Sequence, residues 1–274
     1  MDMRTIGHVL RAALALALGL AFLLPIYISF VTSLDRPQDV FVYPPHLVPD
    51  WNFSVWVQTW RGNTWMLAIL NTVVIALATI AIALTTTVLC AYALVYIPFR
   101  GKAVVWTALL AVLMIPEQAL LIPNFVTMAK LHLVDTRIAQ IIPYGASIFG
   151  VFLLRQHLLT LPREYHDAAK IDGCGHLAFL WRIVLPLSRP ILFTVALYIF
   201  IGCWNSLIWP LMVTSSPRVQ PIEVLLSTFL TQDSSNWQGL SAAAMFATLP
   251  MIALFVLFRK PILRGLSKSS GING

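Results

Sequence analysis

The sequence predicts an all-α membrane protein with six transmembrane helices, on three observations. Hydrophobic residues make up 59% of the 274 residues and charged ones 11%, where a soluble globular domain carries roughly 25% charged residues. The few charges bracket six charge-free runs, at 12–31, 62–99, 103–116, 138–154, 190–217 and 234–258, and a hydrocarbon core takes about 20 apolar helical residues. Basic residues are also segregated. With both termini placed inside, the outer segments hold only Arg36, Arg61, Lys130, Arg137 and Arg218, and the other 13 of the 18 Lys and Arg fall inside, in line with the positive-inside rule. The net charge of +7 and the pI near 9.6 therefore follow from topology and anionic headgroups. They do not mark a nucleic-acid binder, since no basic patch with interleaved aromatics occurs.

The first span is expected at 12–31. Arg4 and Arg11 precede it as they would a signal peptide, but the apolar stretch exceeds the 7 to 15 residues of a signal core. No small-x-small site follows Phe30 either, where Val31-Thr32-Ser33-Leu34 stands instead. The outer segment 35–65 carries Pro37, Pro44, Pro45, Pro49, Trp51, Trp56, Trp60 and Trp65. Tryptophan suits the headgroup level, so this segment is expected to lie on the outer face as a loop with a short interfacial helix. The 38-residue run at 62–99 exceeds one span, which places the second helix near 67–95. A short inner turn at 98–102 leads to the third span, which is long enough only if the helix carries Glu117 into the bilayer and continues toward Ile122. Outer loops are expected at 124–137 and 214–238, the fourth span at 138–154, the fifth within 190–217 and the sixth at 234–258. The division is thus 1–65 for the N-terminal helix and outer loop, 66–260 for the transmembrane core and 261–274 for a cytoplasmic tail. Cys90, Cys174 and Cys203 lie far apart, without disulfide or metal-ligand spacing, and read as small packing residues.

The inner loop 162–190 is the most informative stretch. Pro162 suits the first turn of a helix, Thr160 is a candidate cap, and Glu164, Asp167, Ala168 and Ile171 recur at helical spacing on one face. The adjacent Ala168 and Ala169 let another backbone come close. Gly173 supplies a left-handed helix end, and Asp172 can brace the turn. A second short helix is expected from His176 to Val184, running into Leu185-Pro186, with Pro186 and Pro190 breaking it before the fifth span. An amphipathic helix lying on the bilayer would need a bulky apolar stripe, and 164–170 offers Tyr165 and two alanines. The product is a rigid cytoplasmic knob.

Asp167-Ala168-Ala169, three residues, Gly173, then Leu185-Pro186 resembles the coupling loop of binding-protein-dependent ABC importer permeases, whose pattern is Glu-Ala-Ala, three residues, Gly and a later Leu-Pro. Asp167 is a conservative departure from it. The stretches Asn71-Thr72, Cys90-Ala91-Tyr92-Ala93-Leu94, Met114-Ile115-Pro116, Leu121-Ile122-Pro123, Trp204-Asn205, Trp209-Pro210 and the tail Pro261-Ile262-Leu263-Arg264-Gly265-Leu266 through Gly271-Ile272-Asn273-Gly274 resemble its carbohydrate-uptake branch. They are similar to the second permease subunits of maltose-type and glycerol-3-phosphate-type importers. The resemblance implies a type I ABC importer permease fold in the bacterial inner (plasma) membrane, with a cytoplasmic coupling helix. Glu164, Asp167, Ala168, Ala169, Asp172, Gly173, Leu185 and Pro186 would engage an ATP-binding cassette ATPase dimer. It also implies a second homologous permease subunit and an extracytoplasmic solute-binding protein. The sequence has no phosphate loop of the Gly-x-x-x-x-Gly-Lys-Ser/Thr type, so it cannot bind and hydrolyse ATP by that route; the resemblance implies that ATP and Mg belong to the partner ATPase and that this chain is a non-catalytic subunit. No internal repeat is present, so two-fold symmetry must come from the second subunit.

Glu117 is the one acidic residue within a span. A carboxylate at that depth needs a polar cavity or partner, which makes it a candidate for the substrate pathway or for bracing backbone freed by Pro116. Asn205 is placed to hydrogen-bond a sugar hydroxyl, with Trp204 or Trp209 stacking on the sugar's apolar face; interhelical bonding is the plainer role for such a group. The expected solute is a sugar or sugar derivative, with glycerol 3-phosphate or a glycerophosphodiester as the close rival, and the spans offer no basic residue for a phosphate. Two other classes compete. An ion-coupled secondary transporter would use Glu117 but leave the inner loop without purpose. An intramembrane protease would build on Gly145-Ala146-Ser147, but Ile148 replaces the second Gly of such a motif and no His lies within a span.

Overall fold

The computed structural model describes residues 3–36, 40, 42, 44, 47–232 and 236–269. Pro37, Pro45, Ser234 and the Gly271 to Gly274 motif lie outside the described residues. Among the described residues all regular structure is helical: α1 (Met3–Leu34), α2 (Ser54–Arg61), α3 (Trp65–Tyr96), α4 (Lys102–Val112), α5 (Leu121–Lys130), α6 (Arg137–Ile141), α7 (Ile148–Leu159), α8 (Glu164–Ile171), α9 (His176–Phe179), α10 (Leu185–Trp204), α11 (Ile208–Val213), α12 (Ile222–Gln232) and α13 (Trp237–Ser269). Among the described residues four helices are long and apolar enough to cross a membrane: Leu10–Leu34, Trp65–Tyr96, His176–Trp204 and Trp237–Arg259. Counting each of two bent pairs as one span, Lys102–Val112 with Glu117–Lys130 and Arg137–Tyr144 with Ile148–Leu159, gives six. The expected number of spans is this upper count, while several boundaries move.

The chain forms two compact units, Met1–Trp65 with Leu225–Ala253 and Met66–Val224 with Leu254–Gly274. In the first unit the tryptophans are not a surface belt. Phe246 sits at the centre of an aromatic cluster, with Trp56, Trp60 and Trp65 at centroid distances of 5.2, 5.0 and 5.6 Å. Trp65 is buried and donates its indole N–H to the Thr59 carbonyl at 2.8 Å. Trp56 donates to Ser33 Oγ at 3.0 Å. Both indoles gain a ring partner and an acceptor inside the unit. Trp51 alone of the four is well exposed.

In the second unit the third span does not run through Glu117. Pro116 has no N–H for the Val112 carbonyl, and its ring would collide there. Ile115 N–H takes the Val112 carbonyl instead, at 3.1 Å, and the chain leaves Pro116 extended. The helix resumes as a 3₁₀ turn, Glu117–Leu120, and the second arm of the pair is bent away by 96°. Half of the expected outer loop at 124–137 is consequently α5, and α12 occupies much of the one expected at 214–238. The fourth span breaks after the 3₁₀ turn Ile142–Tyr144. Thr86 Oγ1 of α3 donates to the freed Gly145 carbonyl at 2.9 Å, and Ser147 Oγ caps α7 by accepting from Gly150 N–H at 3.0 Å.

Pro186 and Pro190 do not break the chain before the fifth span. α9 passes through a π-helical stretch, Leu180–Val184, straight into α10, giving one helix over His176–Trp204. The wider π turn brings Pro186 to the first turn of α10, where its missing N–H has least consequence. The fifth span thus starts earlier than expected and ends at Trp204.

Small residues let these helices close up, as membrane packing requires. A Cβ on Gly150 of α7 would lie 2.8 Å from Val195 Cγ1 of α10 and 3.0 Å from Thr87 Oγ1 of α3. Overpacking of this kind costs about 1–3 kcal/mol. Gly150→Val should lower the unfolding temperature of the detergent-solubilised protein by several degrees, with Gly150→Ala intermediate; unchanged melting in both variants would show that the three helices do not meet at this glycine.

Candidate functional site: an exposed knob and a polar cavity

The knob is built from α8 and its turn. α8 starts at Glu164 rather than at Pro162, with Arg163 O accepting from His166 and Asp167 N–H at 2.9 and 3.0 Å. Thr160 does not cap it; its hydroxyl donates back to His157 O at the end of α7. The C-terminus closes as expected on Gly173, at φ +73°. Gly173 N–H reaches Lys170 O at 3.0 Å and Cys174 N–H reaches Ala169 O at 2.8 Å, so the turn ties its own carbonyls in the manner of a glycine-ended helix.

Glu164, Asp167, Ala168 and Ile171 share the exposed face, and Ile171 is 87% exposed. Asp172, Gly173 and Pro186 are exposed as well. Ala169 departs from expectation. It is buried in this chain's own core with Tyr92, Leu154, Leu158, Phe179 and Val184, because successive helical residues point about 100° apart and only one alanine of the pair can face outward. Leu185 packs on the same core. One alanine is therefore exposed and the other fastens the knob to α3, α7 and the helix that begins at His176.

His166 is a second fastening. Its ring lies 5.2 Å from Tyr96 and 5.1 Å from Phe179, and Asp167 Oδ1 is 3.7 Å from its Nδ1. Burial among these rings, with Lys170 nearby, holds the imidazole below its ordinary range despite Asp167. Next to it Tyr92 Oη meets His176 Nδ1 at 2.9 Å.

The second feature is a cavity of about 200 Å³, bordered where three spans are interrupted. Glu117 comes from the break after Pro116, Tyr144 and Ser147 from the break before α7, and Cys203 and Ser206 from the end of α10. Thr72 and Thr79 of α3, Gln140 of α6, Tyr198 of α10 and Trp209 of α11 also line it. The exposed Glu117 accepts a hydrogen bond from Tyr144 Oη at 2.8 Å. A shallower cavity of about 390 Å³ shares Glu117, Tyr144 and Ser206 and adds Gln118 and Asn205.

Of the four residues expected near substrate, Glu117 and Trp209 line both cavities and Asn205 the shallower one, although Asn205 Nδ2 also donates to Ile201 O at 3.0 Å. Trp204 borders neither cavity; it is 3% exposed and stacks on Phe200. Trp209 borders both cavities although it is 2% exposed, and its indole N–H donates to Ala139 O at 3.1 Å. Tyr144, Ser147, Cys203 and Ser206 were not singled out from sequence as solute contacts. Cys90 and Cys174 pack as expected, but Cys203 also borders the cavity.

Asn71 and Thr72 acquire a physical role here. Asn71 Nδ2 donates to the carbonyls of Arg218 and Gln220, each at 3.0 Å, and its Oδ1 accepts from Arg137 Nε at 2.9 Å. Thr72 Oγ1 accepts from Ile222 N–H at 2.9 Å and Gln140 donates to Val219 O at 3.0 Å. Both Asn71 and Thr72 are buried, and the loop ahead of α12 is pinned across one end of the cavity.

Residues 83–268 match the family described as the binding-protein-dependent transport system inner membrane component. The chain belongs to that family. This permease is 32% identical over 243 residues to the arabinooligosaccharides transport system permease protein AraQ of Halalkalibacterium halodurans, covering 89% of this chain and 86% of that one. It is 34% identical over 262 residues to the sn-glycerol-3-phosphate transport system permease protein UgpE of Yersinia pestis, covering 91% and 92%. Its fold is similar to that in the crystal structure of a bacterial ABC transporter involved in the import of the acidic polysaccharide alginate. That match has a TM-score of 0.81 and 23% identity and covers 95% of this chain and 98% of that one. The permease is thus a multi-pass, non-catalytic translocation subunit of an ABC importer, in a family whose members work with an ATPase and a solute-binding protein. The secondary-transporter and protease readings give way to this assignment.

A depressed imidazole keeps its stabilising effect while neutral and loses it as pH falls below the unfolded value of about 6.5, where the unfolded chain protonates first. Amide exchange in α8, corrected for intrinsic rates, should therefore show less protection at pH 5.5 than at 7.5, and His166→Phe should remove the difference. Gly173→Val, which forces a branched residue to positive φ at a cost of about 1–2 kcal/mol, should reduce α8 protection at both pH values.

Proposed function

We propose that this permease pairs with a second, homologous permease subunit and moves a sugar or sugar derivative into the cell across the bacterial plasma membrane, with both termini cytoplasmic. ATP and Mg are bound by a dimer of ATP-binding cassette subunits on separate chains, and an extracytoplasmic solute-binding protein delivers the solute. In this reading residues 66–260 carry translocation, 1–65 supply the N-terminal span and outer loop, and 261–274 form the cytoplasmic tail. The names of the relatives support a sugar or a small glycerol phosphate as cargo.

The observation that carries the proposal is the exposed face of α8, mounted on a helix that reaches the cavity. Ala169 and Cys174 pack with Phe179, Leu180 and Val184. These three belong to the single helix His176–Trp204, which spans roughly 40 Å at 1.5 Å per residue and ends beside Gly202, Cys203 and Ser206 of the cavity wall. An ATPase dimer that closes against Glu164, Asp167, Ala168 and Ile171 moves this helix as a lever. The solute path then responds through the different fit of the ATPase to the two states of the knob.

Ala168→Arg and Ile171→Glu change only exposed positions, so membrane insertion and melting should remain normal. Each variant should lose the ATPase when the transporter is purified from its native membrane, and uptake should fall at least tenfold. Retention of both ATPase and uptake in the double variant would remove α8 from the coupling interface.

A further inference from the structure

We propose that the cavity at the three helix breaks is a subsite for an uncharged sugar residue, and that the Glu117 carboxylate, oriented by Tyr144, selects against anionic solutes there. The inference rests on the importer reading and narrows its solute. Both cavities that contain Glu117 are lined, among the described residues, by hydroxyls, amides and one thiol, with no Lys, Arg or His. Arg137, on the same helix as the lining residue Gln140, directs its guanidinium at Asn71 Oδ1 and the Arg218 carbonyl. It is spent on the pinned loop. Tyr144 Oη donates to Glu117 Oε1 at 2.8 Å, which leaves the carboxylate further acceptor positions and no donor of its own. Sugar hydroxyls supply the matching donors, and the smaller cavity of about 200 Å³ is of the size of a single sugar ring. A phosphate or uronate would instead bring its charge against a fixed carboxylate without a cation to offset it. A cleft lined with one sign of charge shifts the local concentration of a charged species by tenfold or more. On this account the chain differs in charge preference from its glycerol-phosphate relative, although the two are 34% identical.

Cys203 is a free thiol in the cavity wall and reports the potential there whatever the solute is. The complete transporter, carrying Cys90→Ser and Cys174→Ser so that Cys203 is the only thiol of this chain, is treated with three methanethiosulfonates. They are neutral hydroxyethyl, anionic sulfonatoethyl and cationic trimethylammonioethyl. In each case the thiolate displaces methanesulfinate and forms a mixed disulfide. Dividing by the neutral rate cancels any change in thiolate fraction, and dividing by rates with free 2-mercaptoethanol cancels intrinsic reactivity. The expected result is an anionic reagent slowed at least tenfold and a cationic one accelerated, with both ratios returning toward one in Glu117→Gln. Equal normalised rates in wild type, ratios unmoved by Glu117→Gln, or a Cys203 that the neutral reagent does not reach would each overturn the proposal. Failure of the importer reading would show separately, as transporter that purifies without an ATPase whatever the labelling ratios.

Discussion

Every interruption of a helix within a membrane leaves backbone N–H and C=O groups that lipid cannot satisfy, and that constraint organises the second unit. Its three interruptions do not scatter. The breaks after Pro116, at Gly145 and at Asn205 all border the cavities at Glu117, where polar side chains can serve the freed backbone. Thr86 takes the Gly145 carbonyl, Ser147 caps α7 and Asn205 bonds back to Ile201. Polar residues that would be costly on straight spans thereby become the lining of a cavity.

The same unit must also be stiff between the cavity and the knob. The helix His176–Trp204 keeps its continuity through two prolines by means of a π-helical stretch. At the knob end it is held by the cluster of Tyr92, Tyr96, His166, Phe179 and Ala169. At its middle Gly150 brings α7 within contact of Val195. α8 and the cavity wall are thus joined by packed side chains and one continuous helix, the kind of physical connection that the proposed coupling demands.

The knob also shows how burial and exposure are divided within a few residues. Ala168 and Ile171 face outward, while Ala169 and the Cys174 that follows Gly173 face the core. The turn at Gly173 fixes this division, because Cys174 N–H must return to the Ala169 carbonyl. Small residues lie on both sides of α8: outward Ala168 leaves the surface open, and inward Ala169 allows close approach to this chain's own core.

The membrane class, the six spans, the left-handed Gly173 and the exposed face at Glu164, Asp167, Ala168 and Ile171 were determined by the sequence alone. They depend on local quantities: the length of charge-free runs, the sidedness of Lys and Arg, helical spacing and the conformational freedom of one glycine. Only the tertiary structure decided where spans break, which of two alanines is buried, that Trp56, Trp60 and Trp65 surround Phe246, that Trp204 packs away from the cavities, and that Tyr144, Cys203 and Trp209 share a cavity with Glu117. Those outcomes rest on partners far along the chain, such as Thr86 with the Gly145 carbonyl 59 residues away and Asn71 with the Arg218 carbonyl 147 residues away. A helix survives or breaks at a proline according to which neighbour receives the freed backbone group, and that neighbour is chosen by packing.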